Sequence, residues 1–382
     1  MKETTYLDYA ATAAIRPSEV VEAVATYLRD VGATPGRATH ARSLAAGRVV
    51  LQCRRALAEL FGIEGDPGRI AFQLNATHAL NAALFGTLRP GDVVVRTEYD
   101  HNAVRRPASL LKARGVEERV LTGRPDGTVD LEEARALLAG ARLLAFPHAS
   151  NVLGNVLPAR ALADLAHEAG ALVLVDAAQT AGQLPLDVED LGIDMLAFTG
   201  HKALLGPQGT GGLWVREGVE VEVGVAGGTG GDSLPFEMPA AFPDRLEAGT
   251  QNGPGIAGLL AGIDWLRARG VAALHESEME LKADLIRRLR AISGVTLRSP
   301  EAPDGVAIVT ITSDRMAPGE LAARLDAEYG VLTRAGLHCA PEAHRVIGTL
   351  ETGAVRFSLG WATTEEDIQQ AARAVASLHG GE

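Results

Sequence analysis

Three stretches of the sequence place reactive polar side chains directly after apolar runs. Asp176 ends one such run, and Lys202 follows Thr199-Gly-His at the end of another. The two residues lie 26 positions apart, from 176 to 202, which is about one helix plus one strand. Neighbouring strands would therefore bring both side chains to one edge of a sheet, where ligands bind in α/β proteins. Asn75-Ala-Thr77 follows a third run and opens a helix, whose free N–H groups are suited to bind a phosphate.

A lysine, an aspartate, an imidazole and a phosphate-binding helix are the groups that pyridoxal phosphate needs. The amine binds the cofactor aldehyde, the carboxylate keeps the ring nitrogen protonated, and N–H groups and hydroxyls hold the phosphate. His101 and Asn151 follow two further apolar runs and would reach the same sheet edge. The chain has four lysines, at positions 2, 112, 202 and 282, so Lys202 in this setting favours a chemical role. Taken alone, Asp176 and Thr77 could simply cap helices.

The elements that must position these residues are short apolar runs alternating with helical patterns. The runs are apolar throughout, which is typical of strands covered on both faces. Helices between such strands predict an α/β domain with a mostly parallel sheet covered by helices. The predicted strands are Ile70–Gln73, Asp92–Arg96, Arg142–Pro147, Ala171–Asp176 and Asp194–Thr199.

Beyond about Gly249 the pattern changes to long helices with fewer strands between them. The Gly/Pro-rich stretch Gly253-Pro-Gly255 indicates a crossover. The carboxyl-terminal third of the chain predicts a smaller α+β domain. Its predicted helices are Gly255–Arg269, Leu274–Ile292, Pro318–Tyr329 and Glu365–Leu378, and its predicted strands are Gly305–Thr312, Val331–Arg334 and Val355–Leu359.

Composition narrows the possible partners. The net charge of −12 argues against nucleic acid or an anionic membrane surface as the main partner. No apolar run approaches the ~20 residues of a membrane span, and the first residues lack the apolar region of a secretory signal. Two cysteines in 382 residues form no disulfide framework, and the sequence has no C-x-x-C motif that would indicate a zinc site. We expect a cytoplasmic, reduced and acidic soluble protein with no metal.

The two cysteines have different surroundings in the sequence. Cys53 shares the apolar face of a predicted helix with Leu57, so we expect it to be a buried small hydrophobe. Cys339 lies in a predicted loop outside any apolar pattern. Its sequence neighbours Arg334 and His338 could supply positive charge that favours a thiolate. Cys339 is therefore the candidate nucleophile.

Four segments together are specific enough to indicate a family. They are Asp176-Ala-Ala-Gln179, Thr199-Gly-His-Lys202, Glu247-Ala-Gly-Thr250 and Arg334-Ala-Gly-Leu-His-Cys339. With these segments the chain resembles the class V aminotransferase branch of the type I pyridoxal-phosphate enzymes, and specifically the cysteine desulfurase-like proteins. The resemblance runs from Tyr6 to Glu366. It implies fold type I, with a large domain of residues 15–250 and a small α+β domain of residues 1–14 and 251–382 that carries the Cys339 loop.

The resemblance also implies a role for each candidate residue around the cofactor. Lys202 would bind the aldehyde, Asp176 would pair with the pyridine nitrogen, and Gln179 would bond the ring hydroxyl. His101 would stack on the ring and relay protons in catalysis. The phosphate would be held by Ala76, Thr77, Thr199 and His201, and by Thr229 of a second subunit, from the segment 227–231.

The remaining implied roles concern the substrate and the partners. Asn151 would bind the cofactor and, with Arg356, orient L-cysteine beside it. Arg356 would bind the substrate carboxylate, with Arg334 in support. Cys339 would take up the sulfur as a persulfide and release L-alanine. A homodimer and a sulfur-acceptor protein, for iron–sulfur cluster or other thio-cofactor assembly, follow from the same resemblance.

The sequence departs from the family pattern at two points. Glu98-Tyr-Asp-His101 stands where many relatives have a Glu-His-His run, and Ala340–His344 does not identify the acceptor. The alternatives are a selenocysteine or cysteine-sulfinate lyase, which would not need Cys339 as a nucleophile, and a class V aminotransferase or epimerase without a use for it. A pyridoxal-binding regulatory or scaffold protein is the non-enzymatic alternative.

Overall fold

A computed structural model describes residues 4–36, 39–230, 234–300 and 305–380. In this part of the chain the strands are β1 (Thr5–Tyr6), β2 (Ile70–Gln73), β3 (Val93–Thr97), β4 (Glu117–Leu121), β5 (Leu143–Pro147), β6 (Leu172–Asp176), β7 (Met195–Thr199), β8 (Gly211–Val215), β9 (Val295–Leu297), β10 (Ile308–Ser313), β11 (Val331–Leu332), β12 (Arg334–Gly336) and β13 (Ala354–Ser358). The α-helices are α1 (Ser18–Thr26), α2 (Ala41–Leu60), α3 (Ala76–Thr87), α4 (Asn102–Lys112), α5 (Leu131–Leu138), α6 (Ala159–Glu168), α7 (Gly253–Arg269), α8 (Val271–Arg290), α9 (Pro318–Tyr329), α10 (Pro341–Val346) and α11 (Glu365–Leu378).

The large sheet has its strands in the order β2-β8-β7-β6-β5-β3-β4. Strands β4, β3, β5, β6 and β7 pair in parallel, whereas β8 runs antiparallel to both of its neighbours. Because β5, β6 and β7 are parallel, their carboxyl ends reach the same edge, where Pro147 pairs with Asp176. The predicted α/β class with a mostly parallel, helix-covered sheet is confirmed.

Strands β5 and β7 are buried along their whole length, and β6 is buried from its second residue on. One apolar cluster on the sheet includes Phe146 and Phe198, and a second includes Leu174 and Met195. Burial of both faces explains why these strands are apolar throughout. Within the described residues no helix is both long and apolar enough to span a membrane.

Strands β4 and β8 were not predicted from the sequence. Strand β4 is an edge strand with charged residues and partly exposed side chains, so it lacks a continuous apolar run. Strand β8 begins with Gly211 and Gly212, residues that weaken a strand pattern. A side chain at Gly212 would overlap the Phe198 ring, since a Cβ there would come within 2.4 Å of it. The glycine is therefore needed for close packing of β8 on β7.

The second sheet is antiparallel, in the order β12-β13-β10-β9. Its core includes Leu285 of α8, Leu325 of α9 and Ile368 of α11. The single strand predicted at Val331–Arg334 is two short strands, because the chain changes sheets at Thr333: β11 pairs with β1 and β12 pairs with β13. Helix α7 packs against α1 and α2, and its apolar residues join the core of the large sheet. The domain division into residues 15–250 and the remainder stays a prediction.

A buried ion pair joins helix α2, strand β2 and the segment that contains Glu247. The Arg54 guanidinium of α2 donates to both carboxylate oxygens of Glu247 at 2.5 and 2.6 Å and to the Ile70 carbonyl at 3.0 Å. The Glu247 carboxylate also accepts the Phe72 backbone N–H at 2.6 Å and a bond from Gln251. Both members of the pair are buried, so neither charge is solvated if the other is lost.

We expect the substitution Glu247→Gln to lower the free energy of unfolding by about 3–5 kcal/mol, because it leaves the Arg54 charge buried without a counter-charge. Urea denaturation followed by circular dichroism at neutral pH measures this loss. The matched control is Asp164→Asn, which breaks the exposed ion pair between Arg160 and Asp164. The control should change stability by less than about 1 kcal/mol. Equal losses in the two variants would contradict the prediction.

Candidate active site

One cavity lies at the carboxyl edge of β5, β6 and β7. Its other side is formed by the loop that carries Cys339 and connects β12 to α10, called the Cys339 loop below. It brings together residues from separate segments of the chain. Among those that line it are the sequence-predicted residues Ala76, Thr77, His101, Asn151, Asp176, Gln179, Thr199, His201, Lys202, Arg334, Cys339 and Arg356. Of the predicted site residues, Thr229 is the one that does not line this cavity.

Lys202 and Asp176 reach the cavity from neighbouring strands, as the spacing predicted. Asp176 is the last residue of β6, is 6% exposed, and accepts the Ala178 backbone N–H at 2.9 Å. Desolvation raises the pKa of Asp176, while the Ala178 N–H and the Lys202 charge act in the opposite direction. Desolvation lowers the pKa of Lys202 to about 8, although the Asp176 carboxylate opposes the change. Lys202 is therefore still mainly protonated at neutral pH, but a much larger fraction of it is an uncharged, nucleophilic amine than for an ordinary lysine.

His101 is the N-cap residue of α4, and its ring orientation is set by that role. Its Nδ1 accepts the Ala103 backbone N–H at 3.1 Å, so the ring proton of the neutral form lies on Nε2. Burial and the nearby Lys202 charge lower the pKa of His101 to about 4. The imidazole is therefore neutral at physiological pH and has Nε2–H as its remaining polar group.

The first turn of α3 contributes backbone N–H groups to the cavity. Asn75 caps this helix by accepting the His78 N–H at 3.0 Å. The N–H groups of Ala76 and Thr77 belong to the first turn and have no acceptor within the helix. These groups fit a phosphate at this end of the cavity. His201, which lies next to Lys202, bonds through Nδ1 to the Thr12 hydroxyl at 3.1 Å.

Arg356 lies on β13 and is buried, with 1% of its surface exposed. Its Nη2 donates to the Asp8 carboxylate and its Nη1 to the Asn151 carbonyl, both at 2.9 Å. Its Nε–H, also buried, has no acceptor among the described residues. Arg334 lies opposite Arg356 on the neighbouring strand β12 and also lines the cavity. The pair forms a positively charged wall suited to a carboxylate, with Asp8 compensating part of the charge.

Cys339 is exposed, whereas Cys53 is buried in the core of the large sheet, as expected. Burial raises the pKa of the Cys53 thiol well above its ordinary value. The expectation that His338 supplies positive charge to Cys339 is wrong. The His338 ring is 4% exposed, and burial together with Arg356 lowers its pKa to about 3, so the ring is neutral. Of the two predicted neighbours, Arg334 alone remains a charged group, and it lines the same cavity as Cys339.

Thr229 lines a different cavity, together with Arg54, Glu247 and Thr250. Nearby segments expose large apolar side chains, with Val225 at 71% and Phe236 at 105% of their reference surface. The predicted segment 227–231 is described up to residue 230, and Gly231 lies outside the described residues.

Sequence reasoning assigned no role to Asp8, which pairs with Arg356, or to His344, which bonds to His338 at 3.0 Å. Asp8 lies 348 positions from Arg356, so no local pattern could connect them. Gln179 was assigned to the cofactor, and its Nε2 donates to the Ala10 carbonyl at 3.2 Å. This bond leaves its carbonyl oxygen available to the cavity.

The residues of this cavity fit pyridoxal phosphate. They supply an amine with a lowered pKa at Lys202, a buried carboxylate at Asp176, and two free helix N–H groups. The unpaired Nε–H of Arg356 adds a buried donor for the carboxylate of an amino acid. Bound here, the cofactor would have its aldehyde near Lys202, its ring nitrogen near Asp176 and its phosphate near the first turn of α3.

Comparisons with known proteins agree with a pyridoxal-phosphate site in this cavity. Residues 5–371 match the family model of Aminotransferase class-V. A probable cysteine desulfurase of Methanothermobacter thermautotrophicus is 34% identical over 97% of this chain and 93% of its own length. A cysteine desulfurase of Haloferax volcanii is 32% identical over 95% of this chain and 87% of its own.

A comparison of this structure with solved structures identifies the same group of proteins. The apo structure of a cysteine desulfurase from Thermococcus onnurineus superposes with a TM-score of 0.93 at 30% identity, covering 99% of this chain and 95% of that one. The family is dependent on pyridoxal phosphate. Its match covers almost the whole sequence, including both sheets and the cavity between them. The chain therefore belongs to the class V aminotransferase family of pyridoxal-phosphate enzymes.

Proposed function

We propose that the protein is a cysteine desulfurase that converts L-cysteine to L-alanine and transfers the sulfur to Cys339 as a persulfide. The observation that supports this most directly is that Cys339 lines the same cavity as Lys202, Asp176 and Arg356. The names of several relatives agree with it. An aminotransferase or epimerase would have no use for a cysteine at this position.

Pyridoxal phosphate, when bound, supplies an aldehyde that captures amines and a ring that accepts the electron pair of a substrate carbanion. Lys202 binds that aldehyde, and its amine, once displaced by the substrate, takes the proton from Cα. The lowered pKa of Lys202 suits it to this role, because a general base works best near the operating pH. The Asp176 carboxylate holds the proton on the ring nitrogen.

Arg356 and Asn151 orient the substrate. The Arg356 Nε–H is the free donor for the substrate carboxylate, while its bonds to Asp8 and to the Asn151 carbonyl fix the plane of the guanidinium. The Asn151 side chain donates to the His338 carbonyl at 2.6 Å, so it also ties the substrate site to the Cys339 loop. Arg334 adds a second positive charge.

Cys339 performs the sulfur transfer. Its thiolate attacks the substrate sulfur, an S–S bond forms, and the bond between Cβ and that sulfur breaks. The electron pair of the broken bond remains with the carbon skeleton, which takes up protons to become L-alanine. The Nε2–H of His101 is the group through which a proton would pass, since Nδ1 is occupied by the helix cap.

The setting of the reaction is part of the same proposal. The exposed position of Cys339 supports delivery of the sulfur to a thiol of an acceptor protein, for iron–sulfur cluster or other thio-cofactor assembly. Both cysteines are free, which supports a reducing compartment such as the cytoplasm. The exposed apolar side chains near Thr229 support a homodimer in which this segment reaches the partner's cofactor phosphate.

The substitution Cys339→Ala should lower alanine and sulfide release from L-cysteine by about 10²-fold or more, because the nucleophile is lost. The variant should keep its cofactor, as followed by visible absorbance. The matched control is Cys53→Ala, which removes the other thiol and should keep the wild-type rate. A Cys339→Ala variant as active as the wild type would contradict the persulfide step and favour a selenocysteine or sulfinate lyase.

The rate of cofactor capture by the cofactor-free protein should rise with pH and level off above about pH 8. Below the pKa of about 8 the Lys202 amine is protonated and cannot attack the aldehyde, whereas above it the amine is free. Stopped-flow absorbance after adding pyridoxal phosphate measures this rate. Lys202→Ala should abolish covalent capture, whereas Lys112→Ala, which removes an exposed lysine, should not. A rate that still rises through about pH 10, as expected for an ordinary lysine, would contradict the lowered pKa.

The substitution Phe236→Asp should convert a dimer into monomers and weaken cofactor retention, because it places a charge in the proposed contact between subunits. Light scattering measures the mass, and dialysis followed by absorbance measures retention. The matched control is Leu110→Asp on α4, another exposed apolar residue. A wild-type protein that is monomeric yet fully loaded with cofactor would overturn the proposed role of Thr229.

A further inference from the structure

The backbone at the candidate nucleophile has an uncommon conformation. His338 and Cys339 have φ angles of 49° and 58°, and they are two of the three non-glycine residues with positive φ in the described part of the chain. The left-handed region is unfavourable for residues with a side chain, and two consecutive residues there persist only if surrounding contacts hold them.

A chain of three buried side chains lies behind this segment. His338 Nε2 bonds to the Arg334 carbonyl at 3.0 Å, and His338 Nδ1 bonds to His344 Nε2 at 3.0 Å. His344 Nδ1 in turn bonds to the Thr349 hydroxyl at 2.7 Å. His338, His344 and Thr349 are 4%, 0% and 2% exposed. None of the three has a part in the reaction steps proposed for Lys202 and Cys339.

The first member of this chain fixes the direction of every proton in it. A carbonyl oxygen can only accept, so His338 Nε2 carries a proton that it donates to Arg334. Burial lowers the pKa of His338 to about 3 and that of His344 to about 4, so both rings are neutral. His338 Nδ1 is then an acceptor, His344 Nε2 must donate to it, and His344 Nδ1 accepts the Thr349 hydroxyl proton. Every ring nitrogen is satisfied in this one arrangement.

Two further bonds hold the backbone on its other side. The Asn102 N–H donates to the Cys339 carbonyl at 2.7 Å, and the Asn151 side chain donates to the His338 carbonyl at 2.6 Å. Asn102 is the first residue after His101, and Asn151 lines the substrate cavity. The segment is thus fixed between the cavity in front and the buried imidazoles behind.

We propose that His344 is a positioning residue for sulfur transfer: it holds the His338 ring, and through it the left-handed backbone that presents the Cys339 thiol to the substrate sulfur. His344 acts through His338 and does not touch the substrate. The inference rests on the proposed function, because it concerns the step that needs Cys339. The reaction at Cα, performed by Lys202, does not depend on it.

The test compares His344→Leu with His344→Gln in the cofactor-loaded enzyme. Leucine removes the donor to His338, whereas the Nε2 of glutamine can replace it. Two rates are measured for each variant: alanine formation from L-cysteine, and exchange of the Cα hydrogen of L-alanine for deuterium, followed by NMR. The second rate needs Lys202 and Arg356 but has no step for Cys339. Thr349→Val, which removes the last donor of the chain, serves as a milder perturbation.

We expect His344→Leu to lower kcat for alanine formation by about 10²-fold, the scale of a misplacement of about 1 Å. Its Cα exchange rate should stay within about twofold of wild type, and His344→Gln should retain most of the desulfurase rate. A wild-type kcat in His344→Leu would overturn the inference. Equal losses of both rates, or equal losses in the leucine and glutamine variants, would also overturn it, since they indicate general damage to the site. A wild-type enzyme that exchanges Cα hydrogen but makes no alanine from L-cysteine would overturn the proposed function itself, and this inference with it.

Discussion

The desolvation of charge around one cavity is the constraint on which the rest of the structure depends. Lys202, Asp176 and Arg356 come from three different parts of the chain and line one cavity. Asp176 and Arg356 are buried and Lys202 is half-buried, and desolvation shifts the pKa of all three. A buried charge is tolerated only when opposite charges or hydrogen-bond partners lie close to it. Asp8 supplies the opposite charge for Arg356 and offsets the electrostatic repulsion from Arg334 on the neighbouring strand. The ion pair therefore ties the amino-terminal segment to β13, and the pairing of β1 with β11 ties it separately to the strand that precedes β12.

Ion pairs with a buried arginine also join the Cys339 loop to the large sheet. Arg96 on β3 is buried and pairs with Glu118 and with Glu342 of α10, in each case at 2.5 Å. Arg345, also on α10, reaches Glu98 at 2.8 Å. Helix α10 begins two residues after Cys339, so these ion pairs fix the carboxyl side of the loop to the sheet that holds the cofactor residues. The Cys339 thiol and the candidate cofactor site are thereby built on one connected framework.

Much of this arrangement could be predicted from the sequence, and the reasons differ from residue to residue. Asp176 and Lys202 were predictable because a parallel sheet converts a regular spacing along the chain into adjacency at one edge. Cys53 and Cys339 could be distinguished because helical periodicity reports burial.

The role of Asp8 could not be seen, since its partner is distant in the chain. The neutrality of His338 could not be seen either, because sequence proximity to Cys339 suggested charge, whereas burial and the bond to His344 determine protonation. The break at Thr333, inside the single strand predicted at Val331–Arg334, was hidden for a similar reason: the sequence pattern does not identify the neighbouring strand.

The contrast between the two cysteines has a consequence for the chemistry of damage. Cys53 is enclosed by the core, and burial raises the pKa of its thiol. Oxidants and electrophiles in solution therefore react with the exposed Cys339 and not with Cys53. The protein has no second accessible thiol that could react first and spare the active site, or that could form an intramolecular disulfide to shield it. The same exposure that supports the proposed release of a persulfide also makes each oxidation event at a cysteine an event at Cys339, and its reversal depends on reductants from outside the chain.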